Sequence, residues 1–227
     1  MMAHMANEWS RNISGIFAPS ETLFATWSGH GLMDGIGTDY AVTHNYMKTI
    51  AACRYVHGTI EAVERLIEDH GVRESQIASV DVQTYLPAAL LDGLPHNTLS
   101  SKFSIPYAVL CAVRGRGYDF SAFHEPLSFS SQDYALMNSV RVLPSDDLTA
   151  LLPDVRRTQV TLYLKGQVQP LVLDVDLPRG EWDRQLPNGA IETKWSLLMR
   201  DYPGTIDPST LTVEALRTFL RNFIQSF

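Results

Sequence analysis

Between His57 and Tyr85 the apolar pattern changes its period once, and that change restricts the fold more than any other feature of the chain. From His57 the apolar residues Ile60, Val63 and Ile67 recur at helical spacing, Glu61 stands four residues before Arg65, and Gly71 is placed to end the helix. Beyond it, Ile77 to Tyr85 alternates, with Val80, Val82 and Thr84 on one side and Ser79, Asp81 and Gln83 on the other. That is the pattern of a half-buried strand.

The remaining elements follow from punctuation and period. A loop carrying Pro87, Gly93 and Pro95 precedes Ser101–Tyr107, where Ser104 is placed as an N-cap, Pro106 fits a first helical turn, and Gly115 and Gly117 stop the helix. Its apolar face carries Tyr107, Leu110 and Cys111. Val140 to Leu143 reads as a short strand, and Gln159 to Lys165 with Val168 to Val175 as a hairpin turning near Gly166, with Val160, Leu162 and Leu164 on one face. Ala190 to Arg200 and Leu211 to Phe227 read as helices, the first with a stripe of Ile191, Trp195 and Leu198. Residues 1–50 are rich in glycine, serine and threonine and read as short helices and loops. Strands mixed with helices, without regular β-α-β alternation, give an α+β layer rather than a doubly wound fold.

Composition narrows the partners. The 227 residues include 18 Lys and Arg against 25 Asp and Glu, a formal charge of −7. That sign argues against a protein that tracks phosphates on nucleic acid or lies on an anionic membrane. Cys53 and Cys111 form no CxxC, and two cysteines make a poor disulfide framework for a secreted domain. Met1 to Ala6 lack the basic and apolar regions of a signal peptide, and no stretch reaches the length of a membrane span, so a reducing cytoplasm is expected. Gly29-x-Gly31 and Gly35-x-Gly37 lack the third glycine of a dinucleotide fingerprint, and GxxxxGK[ST], HExxH and GxSxG are missing. No cofactor is expected, and His44, His96 and His124 have no companions at metal-ligand spacing.

Two places carry residues suited to chemistry. Arg54, Tyr55 and His57 sit where the first helix begins, so two potential cations meet backbone N–H groups that favour an anion. The alternative is a solvated Arg54 and a His57 at the edge of the apolar stripe. Lys102 and Tyr107 flank the second helix start, where Ser101 and Ser104 add hydroxyls. Such a turn suits a carboxylate or a proton donor, or equally a capped helix with Tyr107 in the core. His30, between glycines, reads as an exposed loop residue, and His70 before Gly71 as a favourable charge at a helix C-terminus.

The same two places carry a family resemblance. Lys48-Thr49-Ile50-Ala51-Ala52-Cys53-Arg54-Tyr55-Val56-His57-Gly58-Thr59-Ile60-Glu61-Ala62 is similar to the K-x-x-x-x-C-R-x-x-H-x-x-I-x-A segment of the MmgE/PrpD family, the 2-methylcitrate dehydratases and cis-aconitate decarboxylases. Ser101-Lys102-Phe103-Ser104-Ile105-Pro106-Tyr107-Ala108-Val109 resembles that family's A-K-F-S-L-P-Y-A-V, at the right distance and likewise after a strand and a proline-containing loop. Val160 to Gly166 resembles its hairpin ending in D-G, with Lys165 in place of the acid, and Lys194-Trp195 its late K-F helix. Gly15 to Pro19 and Gly29 to Leu32 are similar to the stretch leading out of its helical domain, so the likeness covers roughly residues 15 to 200.

The resemblance implies more than the residues alone. Family members run to about twice this length, with a large helical N-terminal domain, a smaller α+β lid and the site in the cleft between. By that likeness residues 1–46 form the join and 47–227 the C-terminal domain, mixed helices on a small, largely antiparallel sheet. It implies a metal-independent lyase acting on a citrate-like or aconitate-like tricarboxylate by dehydration or decarboxylation, with epimerisation of a related dicarboxylate as a third possibility. His57 and Tyr107 map to groups facing substrate, and Arg54, Lys102, Ser101 and Ser104 to the carboxylate-binding surroundings. The partners implied are the small acid and a helical N-terminal domain or subunit, without which the chain is expected to fold but stay inactive, and a homodimer is compatible. The competing expectation is a lid-fold relic that binds a carboxylate or a protein and catalyses nothing.

Overall fold

The computed structural model describes residues 38, 45–124, 127–181, 184, 186, 188–198, 212, 214 and 218, with side chains as far as 196 in the last helix. The chain divides into two compact units, 1–44 and 45–227, and the described helices and strands all belong to the second. The expectations for residues before Asn45, including His30 and His44, and for most of the helix from Leu211 to Phe227 lie outside the described residues.

The first expected helix, α1, runs His57–His70. Its end is set by Gly71, whose φ of +61° lets the chain turn left-handed while its N–H returns to Ile67. Strand β1 spans Ile77–Thr84, followed by the short helices α2 (Leu86–Ala89) and α3 (Thr98–Ser101). Helix α4 is Ile105–Val113, begun by Ser104, whose hydroxyl accepts from the Tyr107 N–H. Helix α5 (Ser131–Asn138), strand β2 (Val140–Pro144), helix α6 (Asp146–Ala150), strands β3 (Thr158–Leu164) and β4 (Leu171–Val175), and helix α7 (Ala190–Leu198) complete the order. Strand β4 starts three residues later than the apolar pattern suggests, because Pro170 has no N–H for the ladder, and Val168 is left in solvent.

The sheet order is β2-β1-β3-β4. β1 pairs antiparallel with β3, and β3 with β4, as a hairpin requires, whereas β1 and β2 run parallel with Val80 opposite Val140. The parallel pair needs a long crossover, and the connection between them holds α2 to α5. The fold is therefore α+β, with a mixed sheet in which two of three pairings are antiparallel.

Alternation sorts the faces. Val80, Val82, Val160 and Leu162 are fully buried on the side where α1 packs. The other face is held by polar pairs: Arg141 donates twice to Asp81, 2.6 Å each, Tyr163 Oη lies 3.3 Å from the same carboxylate, and Gln159 donates to Asp174 at 2.8 Å. α4 is buried on nearly all sides from Ile105 to Ala112, between α1 and α5, so its apolar face is wider than Tyr107, Leu110 and Cys111. Ile191, by contrast, is half exposed. Among the described residues no helix is long and apolar enough to cross a membrane.

Candidate active site

The two motifs meet through the backbone. The Cys53 N–H donates to the Lys102 carbonyl at 2.8 Å, which fixes the entry to α1 against the turn before α4. Arg54–Val56 form a single 3-10 turn leading directly into α1, with no side-chain cap, so the first residues of the motif are drawn inward. Arg54 is 7% exposed. One guanidinium nitrogen donates to His57 Nδ1 at 3.0 Å, and the other to the Pro178 carbonyl at 3.3 Å and to Glu181 Oε1 in a close ion pair. Tyr46 lies flat beneath the guanidinium carbon at 4.7 Å. The anion at this helix entry is thus Glu181, from the far end of the chain.

His57 is 1% exposed. Because Arg54 is always a donor, Nδ1 accepts and the proton sits on Nε2, which faces the Ala52 carbonyl at 3.4 Å. Burial first, then the Arg54 charge, brings its pKa down to about 3, so the ring is neutral at physiological pH. The alternative left open by the sequence, a solvated Arg54 with His57 at the edge of the apolar stripe, does not hold, since both side chains are buried.

Lys102 is half-buried, and among the described residues no carboxylate pairs with it. Ser101 Oγ donates to the Thr98 carbonyl at 2.8 Å, and Ser104 Oγ donates to Gly93 at 2.6 Å while capping α4, so both hydroxyls serve the local turn. Tyr107 points elsewhere. Its hydroxyl donates closely to the Ala122 carbonyl, its ring meets Phe123 and Phe129 edge-on at 5.6 and 5.7 Å, and burial drives its pKa upward. The structure therefore brings Arg54, His57 and the Lys102 backbone together, and leaves the Tyr107 hydroxyl in a different pocket with Arg114 and Asp133.

A second ionic cluster ties the same helix to the 178–184 segment. Glu61, 1% exposed, does not reach Arg65: its carboxylate takes a close bond from Arg184, the Arg179 N–H at 2.9 Å, and the Arg179 side chain at 3.8 Å. The i,i+4 pair expected from the sequence is replaced because Glu61 lies on the buried side of α1. Next to it, Gly180 has φ +92°, and its carbonyl accepts from the Met47 N–H at 2.7 Å. A β-carbon there would run into Met47 O.

Sequence reasoning misses three cations that share a cavity of about 520 Å³: Lys48, Arg179 and Lys194. Lys48 Nζ donates at 3.0 Å to the Ala52 carbonyl that His57 also faces, and Lys194 Nζ donates at 2.7 Å to the Lys48 carbonyl. The cavity thus adjoins the first motif and is walled by α7. Lys48 and Lys194 both stand inside the quoted motifs, so the signal is in the sequence; what it lacks is the fold that brings them within reach of each other.

Among the described residues no group of three or more His, Cys, Asp or Glu is placed to hold a metal ion. A comparison with curated proteins gives no match. A family profile described as the MmgE/PrpD C-terminal domain matches residues 50–213, which takes in the first motif from Ile50 onward, the second motif, the four-stranded sheet and α7. The chain belongs to the MmgE/PrpD family, a family of hydro-lyases, and carries its C-terminal domain.

Proposed function

We propose that this domain is one wall of a lyase that dehydrates or decarboxylates a citrate-like or aconitate-like tricarboxylate, the other wall being a helical N-terminal half. The observation that carries the reading is the junction of the two motifs, Cys53 to Lys102, beside lysines that no carboxylate among the described residues neutralises. In dehydration, a base removes the proton on the carbon next to a carboxylate. The electron pair enters that carboxylate and then forms the double bond as hydroxide departs with a proton as water. Decarboxylation of a cis-aconitate breaks a carbon–carboxylate bond instead, and the resulting carbanion takes up a proton. Both routes build negative charge on a carboxylate, and cations held beside it lower the barrier.

In this scheme Lys102 and Lys48 hold carboxylates. His57 positions Arg54 and orients the Ala52 carbonyl, since both of its ring nitrogens are occupied within the domain. Tyr107 sets the start of α4 through Ala122. The proton-transfer groups then come from the opposing wall, so the isolated chain is inactive.

The test is turnover of 2-methylcitrate and cis-aconitate by the chain combined with a helical half of this family. Turnover is expected only in the mixture, with Lys102→Ala lowering kcat/KM by about 100-fold, on the order of 3 kcal/mol, and Tyr107→Phe changing it less than about threefold. Turnover by the chain alone would show that the proton-transfer groups lie in this domain. A folded Tyr107→Phe variant that loses activity would show that the hydroxyl leaves Ala122 for the substrate.

A further inference from the structure

The cavity beside the first motif is built for more than a fully polar acid. Its cationic side is Lys48 and Lys194, held together by the bond from Lys194 Nζ to the Lys48 carbonyl, with Arg179 as a third cation. No aspartate or glutamate stands among its described lining residues. The chain entering α7, Asn188 to Ala190, also lines it, at the positive end of that helix's dipole. Thr49 Oγ1, in the same wall, is buried without a partner. The cations and the helix dipole call for an anionic ligand.

Most of the wall, however, is apolar. Ile50, Tyr118, Phe120 and Leu186 contribute to it, and Tyr118 is braced by the Arg179 guanidinium 5.8 Å from its ring. At about 520 Å³ the space falls within the usual range for a drug-sized ligand. A six-carbon tricarboxylate would satisfy the cations and leave the aromatic wall facing water, which is unfavourable for apolar surface.

We propose that this cavity binds a polycarboxylate carrying an alkyl substituent longer than methyl, its carboxylates on Lys48 and Lys194 and its alkyl chain against Tyr118 and Phe120. The inference rests on the tricarboxylate reading for the anionic end and adds the apolar end. Chain length then sets affinity: each added methylene that leaves water is worth about 0.8 kcal/mol, or roughly fourfold in Kd.

Isothermal titration of the full chain with citrate, 2-methylcitrate, 2-butylcitrate and hexanoate tests it. The expected result is a Kd that tightens about tenfold or more from 2-methylcitrate to 2-butylcitrate. Lys48→Ala and Lys194→Ala should weaken every polycarboxylate, and Phe120→Ala should flatten the alkyl series while leaving citrate unchanged. Citrate binding as tightly as 2-butylcitrate, with both lost in Lys194→Ala, would overturn the alkyl inference and leave the tricarboxylate reading standing. Hexanoate binding as tightly as 2-butylcitrate would instead count against the polycarboxylate end. No binding of any probe would overturn the inference, and the turnover assay with the helical half still judges the lyase reading by itself.

Discussion

Glu181→Ala is expected to destabilise the domain by about 3–5 kcal/mol, as removing one partner of a buried ion pair does. Arg54 is 7% exposed in the intact domain, so its charge loses its counter-ion at a site poor in water. Glu61→Ala should cost less although Glu61 has more partners, because Arg184 and Arg179 are about a third exposed and can rehydrate. The order of the two effects, Glu181 above Glu61, distinguishes burial of the stranded charge from a simple count of bonds. Urea unfolding at fixed pH should show the shift in midpoint with little change in slope. The double replacement Arg54→Met with Glu181→Leu should recover most of the loss, since no charge is then left stranded.

The second large effect is a pair of opposed pH dependences. His57 has a pKa of about 3 in the folded domain against 6.5 unfolded, so between those values the unfolded chain binds the extra proton and stability falls as pH falls. The slope is at most about 1.4 kcal/mol per pH unit, and the full loss, on the order of 4 kcal/mol or more, is reached near pH 3. Glu64 runs the other way. Burial, then the neighbouring Glu68 charge, raises its pKa to about 7, while the Gly117 N–H, Arg179 and, in the opposite sense, Glu61 act as smaller influences. Its folded form holds the proton more tightly, so its contribution is present below pH 4.5 and lost as pH rises through 7. Partial exposure reduces that contribution to about 1–2 kcal/mol.

Between pH 4.5 and 6.5 the two slopes oppose each other, so wild-type stability should fall on acidification more gently than the His57 slope alone gives. His57→Gln should expose the Glu64 slope, giving a domain that gains stability on mild acidification. Glu64→Gln should do the reverse and be more stable than wild type at pH 8. Denaturant midpoints at half-unit pH intervals read both. Parallel profiles for the wild type and His57→Gln would mean that the ring is not buried neutral.

What the sequence makes legible is whatever depends on local period and chain geometry. Gly71 ends α1 because only a residue without a side chain takes that turn freely, and β1 alternates because one of its faces is wet. The helices α3, α5 and α6 escape a reading by period although their caps are present: Asn97 with Ser100, Ser130 with Asp133, and Ser145 ahead of Leu148. Their apolar periods are too short to register. The parallel pairing of β1 with β2 depends on how four helices pack across the crossover, which no local pattern encodes.

The candidate site divides in the same way. The motifs single out Arg54, His57 and Lys102 as candidates by residue type and spacing. Their partners do not show: Glu181 lies 127 residues from Arg54, and Arg184 lies 123 from Glu61. Tyr107 shows what a motif leaves open, the direction its hydroxyl takes. Its position in the segment is right, yet its hydroxyl turns to Ala122, which comes from the 3-10 turn Phe120–Phe123, a segment no motif covers. Lys48 and Lys194 lie 146 residues apart and meet only because α7 returns to the entry of α1.

The reaction itself is best read by NMR in D2O, with the chain combined with a helical half and supplied with 2-methylcitrate or cis-aconitate. Protonation after loss of carbon dioxide leaves solvent hydrogen on carbon, whereas dehydration strips a proton from carbon, so solvent hydrogen enters there only when that proton is returned to 2-methylcitrate in the reverse direction. Deuterium is expected on carbon in the decarboxylation product or in recovered 2-methylcitrate, appearing at a rate cut about 100-fold by Lys102→Ala in a variant that still folds and still pairs with the helical half. A stable assembly that incorporates no deuterium into either acid and turns over neither would contradict that expectation.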